Sequence, residues 1–334
     1  MKTPAFFQCR ASLAGFFSAA TILLLIASAA GFFGRFNWIF DLCSHFRLQY
    51  ALAFIIAAAV FAARKKKRRA LAFALLAALN FGVMLPHIKL GSFSRDAADG
   101  KPLRALLANI NSTTGRPADV LELVRRCDPD IIVLEEMTQH WISSLQPFLE
   151  LSHPYSKLCP SEDNFGIALW SKHPFDFAFA IMDPDASIPS ILAAVKTPRG
   201  VVDVLATHPL PPAGAENTRL RDSQLARLSE WLRVRDSWHP APALILGDLN
   251  TTPWNHAFKA LLRDTGFSSA SRGFGTWPAQ FPTPFLRIPL DHALHSSGLR
   301  VAGFKLGPRI GSDHFPVILD FAIDGKQQGV DRAD

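Results

Sequence analysis

The stretch Ala243-Leu-Ile-Leu-Gly-Asp-Leu-Asn250 has the pattern of a buried β-strand that ends in polar side chains. Its continuous apolar run suits a strand covered on both faces, and Gly247 lets the backbone turn sharply where the strand stops. Asp248 and Asn250 are two residues apart, so their side chains share a face in extended chain. Taken alone, a strand followed by Asp-x-Asn fits a turn or a helix cap equally well.

The same design recurs elsewhere in the chain. Asp130-Ile-Ile-Val-Leu-Glu-Glu136 is an apolar run that ends in carboxylates, and Leu205-Ala-Thr-His208 ends in an imidazole. Because a rigid scaffold can aim the side chains at strand ends into one cleft, we expect these polar groups to converge. The polar clusters of this kind are Asn109-Ile-Asn111, Glu135-Glu136, His208, Gly247-Asp-Leu-Asn250, Asp291-His292 and Ser312-Asp-His314.

The chain after Leu103 mixes short apolar strands with a few helices. Helices are predicted from Pro117 to Cys127, over Glu216–Val234 and over Trp254–Leu262; proline is favoured in a helix's first turn. Many strands with few helical crossovers predict an α+β fold with mixed or antiparallel sheets, not a doubly wound parallel sheet. The predicted strands are Leu103–Ile110, Asp130–Glu135, Gly166–Trp170, Ile191–Lys196, Val201–Thr207, Ala243–Leu246, His292–His295, Val301–Leu306 and Val317–Phe321.

Convergence of these clusters would create an oxygen-rich site with imidazoles as candidate bases. Oxygen ligands favour Mg²⁺, Mn²⁺ or Ca²⁺ over Zn²⁺. A hard cation beside a His–Asp pair suits phosphodiester hydrolysis, in which an activated water attacks the phosphorus in line. No Gly-rich phosphate loop or nucleophile elbow competes with this interpretation.

In chain order, the motifs NIN, DIIVLEE, ATHP, GDLN, LDH and GSDHFPV resemble those of the endonuclease/exonuclease/phosphatase (DNase-I-like) superfamily. That superfamily includes DNases, abasic-site endonucleases, sphingomyelinases and inositol-phosphate phosphatases. The resemblance extends from about Leu103 to Ile323. It implies a four-layer α/β/β/α sandwich, two packed mixed sheets flanked by helices, with the site at one edge of the sheets.

The resemblance also implies roles for the matching residues. Asn109, Glu136 and Asp313 match metal-binding positions, which implies Mg²⁺ as cofactor, with Mn²⁺ as a substitute. Asn250 matches a phosphate-binding residue. Asn164 lies in a stretch that resembles the strand beside the site and is either a substrate contact or a plain turn residue.

Four further positions match catalytic residues of the superfamily. His208 matches the residue that contacts the scissile phosphate, and Asp248 the residue that orients or deprotonates the attacking water. His314 matches the terminal catalytic histidine, which Asp291 would hold as a carboxylate fixes an imidazole tautomer.

The chain departs from the superfamily pattern at two positions. Asn111 stands where some members have a metal-binding Asp, which puts a second metal in doubt. Glu135 stands where Gln is usual, and no role is assigned to it. His292, next to Asp291, is interpreted as a packed or solvated residue.

Two further features keep alternative interpretations open. Arg219 and Arg221 are phosphate contacts or ordinary solvated charges of a helix. The Pro- and aromatic-rich segment from Gly273 to Pro289 is either a substrate-facing loop, in which Trp277 stacks on a base or touches lipid, or a loop whose aromatic rings fill the core.

The positive charge of the chain belongs to its first hundred residues. They contain 12 Lys and Arg against 3 Asp and Glu, whereas the remainder contains 23 against 25. A basic chain hints at nucleic-acid binding. Here the surplus coincides with apolar stretches, so we interpret it as a signal of membrane topology.

Three apolar stretches, residues 11–33, 48–63 and 70–88, predict a membrane anchor of about three transmembrane helices within residues 1–90. The first is long enough to cross ~30 Å of hydrocarbon, with a cleaved signal peptide as the alternative. The second would span only ~24 Å as a helix, which is marginal.

The basic run Arg64–Arg69 lies between the second and third stretches. In isolation such a run also fits a nucleic-acid patch, but between two spans it predicts a cytoplasmic loop. The resulting prediction is an integral protein of the bacterial inner or plasma membrane. It has a linker at 91–102, an extracytoplasmic catalytic domain at 103–323 and a polar tail at 324–334.

Four cysteines are too few for a disulfide framework. Cys127 and Cys159 are the only pair in the soluble part, and two inert thiols are favoured over a disulfide between them.

Three functions compete at this point. The first is a metal-dependent phosphodiesterase of nuclease type. The second is a phosphoesterase that acts on a phospholipid or inositol-phosphate-like headgroup, which the anchor would suit. The third is a non-enzymatic, membrane-tethered binding module, and the complete set of catalytic candidates argues against it. No obligate protein partner is predicted.

Overall fold

A computed structural model of the chain describes residues 13–88, 101–271 and 273–324. It divides between Met84 and Leu85 into two compact units. The basic N-terminal residues, most of the predicted linker at 91–102 and nearly all of the predicted tail at 324–334 lie outside the described residues.

The first unit is a group of helices: α1 (Leu13–Ala30), α2 (Trp38–Ser44), α3 (Arg47–Ala63) and α4 (Lys67–Met84). Among the described residues, two helical segments are long and apolar enough to cross a membrane, Gly15–Phe36 and Lys67–His87. The predicted middle span differs from these, because α2 and α3 form a pair bent by 67°. Within the described part of the chain, a third candidate span is present only if that bent pair counts as one span.

The second unit begins with a six-stranded sheet, here called sheet A. Its strand order is β11-β12-β1-β2-β4-β3. The bounds are β1 (Leu103–Asn109), β2 (Ile131–Glu135), β3 (Tyr155–Cys159), β4 (Ile167–Ser171), β11 (Leu299–Leu306) and β12 (Val317–Ile323). The helices α5 (Pro117–Cys127) and α6 (Gln139–Leu149) pack on its outer face through a cluster that includes Leu123, Trp141 and Trp170.

A second six-stranded sheet, sheet B, has the order β5-β6-β7-β8-β10-β9. Its strands are β5 (Phe175–Met182), β6 (Pro189–Thr197), β7 (Gly200–Thr207), β8 (Ala243–Asp248), β9 (Ser268–Ser269) and β10 (Asp291–His295). The helices α7 (Ala215–Trp238) and α8 (His256–Thr265) cover its outer face through Leu228, Phe258 and their neighbours.

The inner faces of the two sheets enclose the main apolar core. This core takes residues from both sheets, among them Leu107, Val133, Val204 and Leu246. The architecture is therefore two packed mixed sheets flanked by helices, which confirms the predicted α+β sandwich.

Each sheet contains one parallel pair joined by a helical crossover. β1 pairs in parallel with β2, and β7 with β8. The carboxyl ends of parallel neighbours meet at the same edge of a sheet, so the polar residues that follow these strands are brought together there.

In the second unit every predicted strand is present within two residues of its expected bounds, but the strands β3, β5 and β9 and the helix α6 were not predicted. β3 and β5 are the edge strands of their sheets and are only half-buried, so they lack the continuous apolar run of the central strands. α6 contains Pro147, a residue that argues against a helix interior; its start is capped by the Thr138 hydroxyl, which accepts from Trp141 N.

Candidate active site

Six of the predicted site residues lie on segments whose ends meet at one edge of the two sheets. Each stands at the end of a strand, just after one or just before one. They are Asn109 on β1, Glu136 after β2, His208 after β7, Asp248 on β8, Asp291 at the start of β10 and His314 before β12.

Close approach of backbones explains the glycine in the GDLN stretch. A Cβ on Gly247 would lie 1.8 Å from the carbonyl oxygen of Thr207 on the neighbouring strand. No side chain fits there. This contact places Asp248 directly beside the end of β7, where His208 follows.

A buried triad forms the centre of the site. The His314 Nδ1 atom lies 2.9 Å from Asp291 Oδ2, in hydrogen-bond range. Its Nε2 atom faces Asp248 Oδ2 at 3.6 Å, and His208 Nε2 lies 3.8 Å from the same oxygen. The structure thus brings two imidazoles to one carboxylate, with Asp291 behind His314.

The carboxylates control the charge on the two imidazoles. Burial opposes charge on His314, but Asp291 and Asp248 outweigh it and raise the pKa of His314 to about 10. Burial also acts against an ionised Asp291, yet its attraction to His314 lowers the pKa of Asp291. Burial lowers the pKa of His208. At neutral pH His314 and Asp291 are therefore an ion pair, and His208 is neutral.

Oxygen donors line an open cavity of about 390 Å³ in front of this triad. Glu136 adopts φ +62°, an unusual backbone conformation for a non-glycine residue, of the kind found at functional sites. One Glu136 oxygen accepts from Asn109 Nδ2 at 3.0 Å and the other from Ser112 N at 3.0 Å. The residues lining the cavity are Asn109, Glu136, Asp163, Asn164, Phe165, His208, Pro211, Asp248, Asn250 and His314.

The donor chemistry fits a hard cation at Asn109 and Glu136. Both supply oxygen, the ligand type that Mg²⁺ prefers. Asp248, Asp291 and His314 form another compact group, with ligand atoms all within 4.8 Å of one another. A cation there would have to replace the His314–Asp291 hydrogen bond, so this group fits proton transfer better.

Asp313, the third predicted metal ligand, has both carboxylate oxygens engaged. Oδ1 accepts from Asn111 Nδ2 at 2.8 Å and Oδ2 from Trp277 Nε1 at 3.0 Å. Asn111 Oδ1 accepts from the backbone amides of Thr113 and Thr114 and shapes that turn. In this structure Asp313 supports the loops around the cavity, and its coordination of a metal stays a prediction, as it does for Asn109 and Glu136, whose side-chain oxygens also accept hydrogen bonds.

The two predicted phosphate or substrate contacts both lie in the cavity wall. Asn250 Nδ2 donates to Pro209 O at 2.9 Å, and Asn250 N donates to Asp248 Oδ1 at 2.9 Å. Asn164 Oδ1 accepts from Ser112 Oγ at 2.8 Å. One polar atom of each side chain is therefore hydrogen-bonded to a neighbouring residue of the protein. Contact of either side chain with substrate stays a prediction.

The two arginines on α7 differ in environment. Arg219 is exposed and pairs with Glu216 at 2.6 Å, an ordinary surface pair. Arg221 is fully buried, pairs with Asp222 and donates from Nη1 to Asn250 O at 3.3 Å. It is therefore neither a solvated charge nor a direct phosphate contact, but a support for the turn that carries Asn250.

His292 packs into the core, as predicted. It is fully buried against the Phe258 ring, and its Nε2 atom lies 2.8 Å from Thr251 O. Burial lowers its pKa to about 4. Cys127 and Cys159 are free thiols, also as predicted.

Glu135, to which the sequence assigned no role, bridges the two sheets. Its Oε1 and Oε2 atoms accept from Asp248 N at 3.0 and 3.1 Å. Burial, followed by repulsion from Asp248 and Asp291, raises its pKa well above the usual range. Burial thus favours the protonated form of Glu135, whose carboxyl group has the shape of a Gln carboxamide.

We expect Glu135→Gln to raise the melting temperature, and the gain to grow as pH rises from about 4.5 to 8. The folded-state pKa of Glu135 lies above its unfolded value. The contribution of Glu135 to the free energy of unfolding is therefore complete below its pKa in the unfolded chain. It is lost as the pH rises towards the pKa of Glu135 in the folded protein. The glutamine keeps an acceptor for Asp248 N and has no proton to lose. Thermal melts at several pH values check this; a gain that is constant across pH would contradict it.

The Pro- and aromatic-rich segment is attached to the site and does not fill the core. Besides the Trp277–Asp313 hydrogen bond, Thr276 Oγ1 accepts from Asp291 N at 3.2 Å, and Phe315 N donates to Thr276 O at 3.0 Å. Trp277 is half-buried. Its indole is therefore held by a site carboxylate, an arrangement that the sequence did not predict.

A two-sheet sandwich with a His–Asp pair, a facing carboxylate and an oxygen-lined cavity has the groups that metal-assisted phosphoester hydrolysis requires. The chain belongs to the Endonuclease/Exonuclease/phosphatase family, whose model matches residues 106–314. This family is generally dependent on divalent metals.

Solved structures of low sequence identity share the fold. An endonuclease/exonuclease/phosphatase from Beutenbergia cavernae is 18% identical, with a TM-score of 0.56, over 68% of this chain and 72% of that one. An AP endonuclease from Archaeoglobus fulgidus is 17% identical, with a TM-score of 0.55, over 66% and 100%. Sphingomyelinase C from Streptomyces griseocarneus is 18% identical, with a TM-score of 0.51, over 66% and 99%. Comparison with curated protein sequences gave no match.

Proposed function

We propose that this protein is a Mg²⁺-dependent phosphodiesterase of nuclease type, anchored in a membrane. The observation that carries the proposal is the arrangement of His314 between Asp291 at 2.9 Å and Asp248 at 3.6 Å, facing a cavity lined by Asn109 and Glu136. A non-enzymatic binding module has no need of this set of groups.

The residues of the chain supply positioning and proton transfer. Asp248 orients the attacking water and accepts its proton, and the imidazolium of His314 stabilises the charge that develops on the phosphoryl oxygens. Asp291 fixes the His314 ring and its proton. His208, neutral and beside Asp248, donates a hydrogen bond to the scissile phosphate, and Asn250 and Asn164 contact the substrate from the cavity wall.

Asn109 and Glu136 would hold the metal, with Asp313 as the third predicted ligand. A bound Mg²⁺ or Mn²⁺ supplies neutralisation of phosphoryl and leaving-group charge. The residues around it keep the ligands in place: Asn109 bonds Glu136, and Ser112 N fixes the second Glu136 oxygen.

A phospholipid or inositol-phosphate-like headgroup is the second candidate substrate. The candidate membrane spans Gly15–Phe36 and Lys67–His87 favour it, because an anchored enzyme meets lipid headgroups at high local concentration. The residues after Gly100 carry 23 Lys and Arg against 25 Asp and Glu, so they lack the overall positive charge of a tight duplex binder.

Purified full-length protein with Mg²⁺, tested in parallel on plasmid DNA, RNA, sphingomyelin and inositol phosphates, distinguishes these substrates. We expect hydrolysis of the nucleic acids to exceed that of the two headgroup substrates. Faster hydrolysis of sphingomyelin or inositol phosphates would select the second candidate. No hydrolysis of any of the four, with folded protein, would refute the proposed function.

We also propose that the catalytic domain is extracytoplasmic. The basic run Arg64–Arg69 precedes the candidate span Lys67–His87 or forms its start, and positively charged loops stay in the cytoplasm. Reporter fusions after Gly100 are expected to report an extracytoplasmic location and fusions at Lys66 a cytoplasmic one. A cytoplasmic signal from the later fusion would reverse the assignment.

A further inference from the structure

We propose that the segment 273–286, here called the aromatic loop, rests on the lipid bilayer and holds the active site at the membrane surface. The bilayer is the one that the chain's own candidate spans would enter. The docking rests on the membrane anchor of the proposed function, but not on the reaction that the site catalyses.

The aromatic loop is uncharged and presents large apolar side chains to solvent. No Asp, Glu, Lys or Arg occurs between Gly273 and Leu286. At its tip Phe281, Phe285 and Leu286 are exposed by 42%, 57% and 48%. A cluster of exposed large apolar residues on a soluble domain marks an interaction surface.

The tip is an ordered structure. Leu286 N donates to Thr283 O at 3.3 Å and Phe281 N to Pro278 O at 3.3 Å. Arg287 closes the turn, since its Nε and Nη2 atoms donate to Phe281 O at 3.0 and 2.7 Å. The backbone therefore holds the apolar side chains towards solvent. Exposure of this apolar surface to water is unfavourable, and an apolar partner that covered it would remove the unfavourable free energy.

The inner edge of the aromatic loop is bonded to the site. Besides the bonds of Thr276 and Trp277, Ala279 N donates to Asp313 O at 2.6 Å. A surface that binds the tip is thereby placed at a fixed distance from His314 and the cavity.

The bilayer is the partner proposed for this surface, because the same chain contains candidate membrane spans. Within the second unit, the start of the aromatic loop lies beside His87 and Ile88: a Cβ on Gly273 would lie 3.5 Å from Ile88 Cγ1 and 3.8 Å from His87 O. His87 is the last residue of the candidate span Lys67–His87. Ile88 and the aromatic loop belong to the same compact unit. Phenylalanine and leucine side chains also suit the headgroup region, where apolar side chains insert.

Tryptophan quenching by brominated lipid tests the docking without any turnover. Full-length Phe285→Trp, in nanodiscs of dioleoylphosphatidylcholine or its dibrominated counterpart, is compared with wild type to isolate the added tryptophan. The matched control is Leu151→Trp. Leu151 is 85% exposed but follows α6, at the end of the domain away from Glu135.

We expect bromine to quench the added tryptophan at position 285 at least about twofold more than that at position 151. Leu286→Trp provides a second position should Phe285→Trp fold poorly. Equal quenching at the loop and control positions would overturn the proposal. So would a loop tryptophan that responds to single-stranded DNA and not to lipid, since the loop would then bind nucleic acid.

The outcome is separable from that of the proposed function. A protein that hydrolyses no phosphodiester refutes the proposed reaction, yet its loop tryptophan still reports whether the tip enters lipid. Conversely, if the enzyme is active but the loop tryptophan is not quenched, the proposed reaction stands and the proposed membrane docking is refuted.

Discussion

Replacing His314 with Ala is expected to lower kcat by at least ~10²-fold, the usual scale for losing one group that stabilises charge developing in the transition state. Asp248→Asn is expected to cost as much, because it removes the carboxylate that faces both His314 Nε2 and His208 Nε2. Steady-state hydrolysis of the preferred substrate at saturating Mg²⁺ gives both values. A near-silent His314→Ala would leave His208 as the better catalytic candidate.

Asp291 allows a sharper test of the same assignment. Asp291→Asn should lower kcat somewhat less than His314→Ala does, because the variant weakens the interaction that orients the His314 ring but keeps the ring itself. The double variant should lose little more than His314→Ala alone, since residues that act as one unit lose their function together. Strictly additive losses would show that the two residues act independently.

The control for these variants must be an exposed histidine. His292 is unsuitable, because it is fully buried against Phe258 and its truncation would cost stability as well. His140 is exposed on α6, so His140→Ala should keep wild-type kcat. Circular dichroism on every variant separates loss of chemistry from loss of fold.

Removal of the metal is the second change with a large expected effect. EDTA should abolish activity, and Mg²⁺ or Mn²⁺ should restore it, because Asn109 and Glu136 offer hard oxygen donors to the cavity. Full activity in the presence of chelator would contradict the metal assignment.

Glu136→Gln tests which residue holds the metal. The substitution removes one charge and nearly keeps the shape, so we expect the Mg²⁺ concentration for half-maximal activity to rise about 10-fold or more. Glu150→Gln is the matched control, an exposed glutamate after α6 that bonds only Gln146 among the described contacts. Calorimetric titration with Mg²⁺ reads affinity independently of turnover. An unchanged Mg²⁺ requirement in Glu136→Gln would assign the metal instead to the compact group Asp248, Asp291 and His314.

The sequence predicted most of the scaffold because its signals are local. Continuous apolar runs that stop at polar residues marked β1, β2, β7 and β8, since a strand buried on both faces must be apolar throughout. Edge strands such as β5 are half-exposed and carry no such signal. The short apolar stretch 48–63 was predicted as a marginal span and coincides with α3, but the helix α2 before it and the 67° bend between the two are not visible in hydropathy.

The sequence by itself determined which residues stand at strand ends: Asn109, Glu136, His208 and Asp248 each follow an apolar run. The tertiary structure alone decided which of them meet. Glu135 and Asp248 are 113 residues apart and bond across two sheets, and Trp277 reaches a carboxylate 36 residues away. The physical reason is that periodicity sets which way a side chain points along its own strand, whereas its partner depends on how the two sheets pack and on the register of strands far apart in the chain.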